Sequence, residues 1–249
     1  MKIDSDAQVL DFNPYEIRTE ADPSHNIGEK VISSDRIFRY AKAGEALVAA
    51  HLAVQDTIVA QTAMVVIAGA IDSTTITFTN AATTPTLGDY HEGYAIISAG
   101  TGIGQTYKIK DMKDTSGAGT GALVSGGASS IRIDHPLVTA LDTTSRLDLV
   151  KNLYMDVKHT ATATLQPAGV PLVAVTADND FCWLQTRGVI GIRADNAIVA
   201  GSGVENDGSV AGEVDIIVEA DYVVNPRIGR AFWHDGVQDE VHPVFLEID

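Results

Sequence analysis

The sequence predicts an all-β protein made of two small antiparallel β-barrel or sandwich modules preceded by an extended N-terminal arm. Three observations carry that expectation. Short runs place apolar residues at every second position, the pattern of strands buried on one face. Gly, Asn, Asp or Pro clusters separate these runs at short intervals, the spacing of hairpin-connected strands and not of βαβ units. No helical stretch is long enough to cover a parallel sheet.

Residues 1–34 are polar and mixed, with Pro14, Pro23 and Gly28 breaking any period. Their isolated apolar residues Phe12, Tyr15 and Ile17 suit an arm that docks, either over its own subunit or onto a neighbour. Residues 35–157 are expected to form a β domain with Gly-rich hairpin loops. Its first strand candidate is 36–42, followed at 46–52 by the one stretch with helical propensity in its favour. Segment 75–79 sets Ile76 and Phe78 on one face and threonines on the other, and 106–110 repeats the period with lysines outward. Segment 130–134 alternates in the same way, and the Gly/Ser/Ala stretch 116–129 reads as a flexible hairpin tip before it. Gly100, Gly102 and Gly104 mark a second tight turn, and 147–150 is a further strand candidate before a boundary placed near 157. Residues 158–249 then form a C-terminal barrel-like module with strands expected at 172–175, 181–185, 189–192, 214–218 and 244–248.

The chain of 249 residues has 45% apolar residues and 17 Lys+Arg against 33 Asp+Glu, which describes a folded acidic protein. A formal charge of −16 opposes nucleic-acid binding, which draws its affinity from cations that displace counterions from phosphate. Cys182 is the single cysteine, so no intrachain disulfide forms, and its apolar neighbours Phe181, Trp183 and Leu184 place it in a core. The first residues lack the basic and apolar regions of a signal peptide, and no run approaches the roughly 18 apolar residues of a membrane span. Synthesis in a cytoplasm, without membrane insertion, is expected.

Catalytic motifs are missing where they would be sought. Gly100-Thr101-Gly102-Ile103-Gly104 lacks the third glycine of a dinucleotide loop at its proper spacing, and Gly117-Ala118-Gly119-Thr120-Gly121 lacks the Lys-Ser/Thr of a P-loop. The 7 histidines are scattered with no zinc-binding pair. Asp178-Asn179-Asp180 and Glu205-Asn206-Asp207-Gly208 are oxygen-rich, but neither continues into a twelve-residue calcium loop, and both read as capped turns. Trp183 reads as core. Trp233 is either exposed at a loop or packed at a subunit contact, and the aromatic enrichment of interfaces favours the contact. No catalytic residue, metal ligand or cofactor is therefore assigned; Phe12, Tyr15, Ile17 and Trp233 are the candidate interaction residues.

The C-terminal segment carries an ordered set of phrases: 167–177, then Phe181-Cys182-Trp183-Leu184-Gln185-Thr186-Arg187-Gly188, then Ala200-Gly201-Ser202, Ile228-Gly229-Arg230-Ala231 and Val244-Phe245-Leu246-Glu247-Ile248-Asp249. This order resembles the small β modules of tailed-phage capsid decoration, or cement, proteins. The resemblance covers the last 90 residues or so. It implies a non-enzymatic virion protein on the outer capsid surface, a homo-oligomer such as a trimer, with the major capsid protein as partner and no cofactor. Two rival expectations are a tail- or fibre-associated protein that binds a host glycan through loop 116–129, and a carbohydrate-active enzyme using two carboxylates on a β scaffold.

Overall fold

The computed structural model describes residues 12–57, 61–81, 88–114, 126–218, 225–232 and 237–249. In chain order the strands are β1 (Ile17–Arg18), β2 (Lys30–Ser33), β3 (Arg36–Lys42), β4 (Ala53–Val54), β5 (Met64–Ala68), β6 (Thr75–Thr79), β7 (Tyr94–Ala99) and β8 (Thr106–Asp114). There follow β9 (Ala128–Ile133), β10 (Arg146–Val150), β11 (Pro167–Pro171), β12 (Phe181–Arg193), β13 (Gly203–Asn206), β14 (Val214–Ile216), β15 (Arg227–Ala231) and β16 (Val241–Glu247). The all-β class holds, and no helix occurs among the described residues. The stretch 46–52 is not helical: Leu47 instead forms an antiparallel bridge with Val175, and Ala50 adopts a φ of 61°. Leu47 and Leu52 are fully buried, so tertiary burial overrides the local helical preference.

Two compact units divide the chain, but not consecutively. One comprises residues 1–57 and 153–249, and the other is 58–152, inserted between them. The division expected at 35–157 and 158–249 is thus corrected, because β3 pairs with β12 and β4 with β11 across the inserted segment. Exit and re-entry of the chain are tied together by the Val54–Lys158 bridge and by Lys158 Nζ, 2.7 Å from Asp56 Oδ1. Adjacent termini of this kind are what lets a domain be inserted at little cost.

The discontinuous unit is organised by β12. One edge of this strand pairs with β3, and the other meets β1, β11 and β16 in succession. Residues 181–186 are buried on both faces, after which burial alternates. The sequence reads two strands here, separated at Arg187-Gly188; they are one strand carrying a bulge. Gln185 Nε2 donates to the carbonyls of Arg187 and Val189 at 3.0 and 3.1 Å, which pairs polar groups that the bulge would strand. Two cores flank the strand. Phe38, Tyr40, Trp183, Leu184 and Val157 fill one, and Ile192, Val204, Ile228, Val244 and Leu246 fill the other.

Other expectations shift. Segment 172–175 is not a strand beyond its bridge at Val175, and β11 lies upstream of it. Residues 228–231 form most of β15, a strand the sequence reading does not single out, and a Cβ on Gly229 there would stand 2.1 Å from the Phe245 carbonyl oxygen. A glycine there lets β15 approach β16 closely.

The inserted unit is a closed ring, β10-β5-β6-β9-β8-β7 and back to β10. Register shifts in β10/β7, β5/β6 and β8/β9 supply the bends that closure requires. Ile76, Phe78, Ile97, Ile109, Ile131 and Leu147 point inward and are buried. Gly100, Gly102 and Gly104 make the tight turn between β7 and β8 with φ of 75°, 82° and 88°, values that side chains with a Cβ rarely adopt. Of the hairpin tip expected at 116–129, residues 116–125 lie outside the described residues, and Ala128 already begins β9.

Candidate functional site

The N-terminal segment is part of the sheet of its own subunit. Ile17 and Arg18 pair with Cys182 and Phe181, and β2 forms a hairpin with β3. The Phe12 ring lies 5.0 Å from Phe38 and 5.1 Å from Trp183, centroid to centroid. Phe12 is thereby committed to its own core, and of the two docking modes expected for this segment it takes the one over its own subunit. Tyr15 and Ile17 remain outside, 58% and 39% exposed, and Ile32 on the same N-terminal stretch is 58% exposed. Trp233 lies outside the described residues; its neighbour Phe232 is 62% exposed.

Groups capable of chemistry are mostly occupied by structural work. The Cys182 thiol is fully buried, and burial pushes its pKa up to about 12, which leaves no thiolate for nucleophilic attack at neutral pH. His159 accepts from the Val48 N–H through Nε2 at 2.9 Å, and its Nδ1 lies 2.8 Å from the Leu52 carbonyl. Both ring nitrogens are satisfied in the neutral tautomer that carries its proton on Nδ1, and burial lowers the pKa. At the other end of the molecule's sequence order, Arg39 grips Asp249 through Nε and Nη2 at 2.6 and 2.8 Å. That pair of hydrogen bonds holds the Asp249 carboxyl below the usual carboxylate range.

In the barrel, Glu92 is buried with φ 55°, and Lys108 Nζ and Lys110 Nζ each reach its carboxylate at 3.0 Å. Burial alone would raise its pKa; hydrogen bonds from the two lysines and their charges outweigh that and lower it. Asn152 Nδ2 donates to the Glu92 carbonyl at 2.9 Å, so this residue joins β7, β8 and the segment after β10. The arrangement is a buried charge with two cations and an orienting amide, which is an internal clamp.

Of the two oxygen-rich segments, Asp178-Asn179-Asp180 is a turn, as its composition suggests, whereas Glu205 and Asn206 of the other belong to β13 and pair with β14, so the capped-turn expectation is corrected there. Asp207 accepts from the N–H groups of Ser209 and Val210 at 2.9 and 2.7 Å, while Asn179 holds φ 65° and donates to Asp178. A different acidic set does converge: one carboxylate oxygen each from Asp195, Glu213 and Asp239 lies within 4.8 Å of the others. These residues follow β12, precede β14 and precede β16, and are half-buried, buried and exposed in turn. Sequence reasoning missed them because the residues are far apart in the chain and each sits beside unremarkable turn residues. No protein-family profile, curated protein or solved structure matches this chain.

Proposed function

We propose that the chain is a structural virion protein that binds the outer surface of a phage capsid and decorates or stabilises the lattice of the major capsid protein. The observation that carries the reading is adjacency. Four of the five phrases that resemble capsid decoration modules fall on β11, β12, β15 and β16, which neighbour one another in one sheet in the order β15-β16-β12-β11; the fifth, Ala200-Gly201-Ser202, lies in the turn before β13. Four separated phrases thus lie on one contiguous piece of structure, which supports reading them together as a module. The −16 charge suits a surface turned away from packaged DNA. Binding spread over a lattice needs buried area with a few anchoring side chains and no convergent catalytic set. Tyr15 and Ile17, displayed on the sheet edge, are the anchors this reading assigns. Self-association, for example as a trimer, belongs to the same proposal.

Co-sedimentation of the purified chain with assembled capsid shells tests it. Saturable binding is expected, and the double variant Tyr15→Ser, Ile17→Ser should lower occupancy at sub-saturating protein several-fold while leaving the fold intact, because both side chains are exposed. Deleting residues 12–33 is not equivalent, since it removes two paired strands. Absence of binding to shells, or binding to tails alone, would reject the proposal.

A further inference from the structure

We propose that Asp195, Glu213 and Asp239 form a calcium site that fastens the end of β12 to the segments entering β14 and β16. Their three carboxylate oxygens lie within 4.8 Å of one another, a span that oxygens about 2.4 Å from one shared ion can reach. Carboxylates held so close repel one another unless a cation stands between them.

Arg193 compensates in part. Its Nε donates to Glu213 Oε1 at 2.5 Å, and its Nη2 stands 3.6 Å from Asp239 Oδ1, beyond hydrogen-bonding distance. One guanidinium against three carboxylates leaves a surplus of two negative charges, the charge of one divalent cation. A second observation points to a ligand. Glu213 is 4% exposed, and its Oε2 is buried without a hydrogen-bond partner among the described residues, although the other oxygen of the same group is paired. An ionised carboxylate oxygen left without a donor is costly in a protein interior, and a cation beside it removes that cost. All the protein donors are hard oxygens, and Asp239 is exposed, so waters complete the six to eight ligands that calcium takes.

The site stands whether or not the chain sits on a capsid. Titration calorimetry of the full chain, stripped with a chelator, should show calcium chloride binding with a Kd of roughly 10⁻⁴ to 10⁻³ M, the range of sites with few charged ligands. Saturating calcium should raise the unfolding midpoint by about 5 °C. Asp239→Asn, whose side chain is exposed, should weaken calcium binding about tenfold without lowering the metal-free midpoint, and Asp195→Asn should do the same. Glu213→Gln should abolish binding. No calcium heat and no midpoint shift at tens of millimolar would overturn the site, as would binding unchanged in both aspartate variants; tighter binding of magnesium chloride would overturn the assignment to calcium.

Discussion

The inserted barrel and the unit that hosts it solve the same problem, burying alternating strands, in opposite ways. The barrel is continuous in sequence and closes on itself, so every strand has two partners and no edge is left open. Its host is assembled from two distant chain segments around one long strand and ends in β2, whose outer edge has no strand partner among the described residues. Where the barrel ties β7 and β8 with a buried carboxylate held by two lysines, the host packs aromatic rings edge-on and tilted about Trp183 and leaves an acidic cluster only partly compensated by arginine. The contrast teaches that the closed unit has satisfied its strand edges, while the open one keeps, among the described residues, a free edge and an acidic cluster with surplus charge; exposed apolar side chains occur on both, Ile103 and Val138 on the barrel and Tyr15 and Ile32 on the host.

The largest expected effect comes from breaking each core in turn. Trp183→Ala in the host and Phe78→Ala in the barrel should each cost about 3–5 kcal/mol, since both side chains are fully buried. Scanning calorimetry should show each truncation lowering the transition of the unit that contains it; equal loss from all unfolding signals in both variants would mean that the two units are one cooperative body.

A smaller difference should appear with pH. His159 has a lowered pKa in the folded host, so its contribution is fully present above the ordinary histidine value of about 6.5 and is lost as pH falls below it. Protonating Nε2 removes the acceptor for the Val48 N–H; Glu45, whose carboxylate accepts from the His159 N–H, and the nearby His51 ring face the same site. Glu92 in the barrel has a lowered pKa as well, and for a carboxylate the window differs: its contribution is present above the ordinary value of about 4.3 and is lost as pH falls through the lower folded value. Acidification from neutral should therefore weaken the host before the barrel in urea unfolding, and His159→Gln should flatten the first loss. An unchanged slope in that variant would assign the loss to other groups.

Much of the fold was legible because half-buried strands write their register into the sequence. Ile76 and Phe78 announce β6, and Ile131 and Ile133 announce β9, since one face of each is core and the other solvent. β5 escaped notice because Val65 and Ile67 are apolar yet exposed, which erases the alternation. β12 read as two strands because its bulge places Arg187-Gly188 where a turn would stand. The insertion itself was invisible: pairing of Arg39 with Leu184 joins residues far apart in sequence and leaves no local trace. Of the candidate interaction residues, Tyr15 and Ile17 proved exposed, whereas Phe12 belongs to the core because Trp183 and Phe38 offer it an aromatic pocket. The acidic cluster is a product of tertiary folding, and only the convergence of three strand ends reveals it.

The most direct test of the central claim is electron cryo-microscopy of the assembled particle, with this chain fitted to the density. The account predicts the two all-β units at repeated positions on the outside of the head lattice, with the edge bearing Tyr15 and Ile17 against a capsid or neighbouring subunit. Density confined to the tail, or none on the particle, would contradict it.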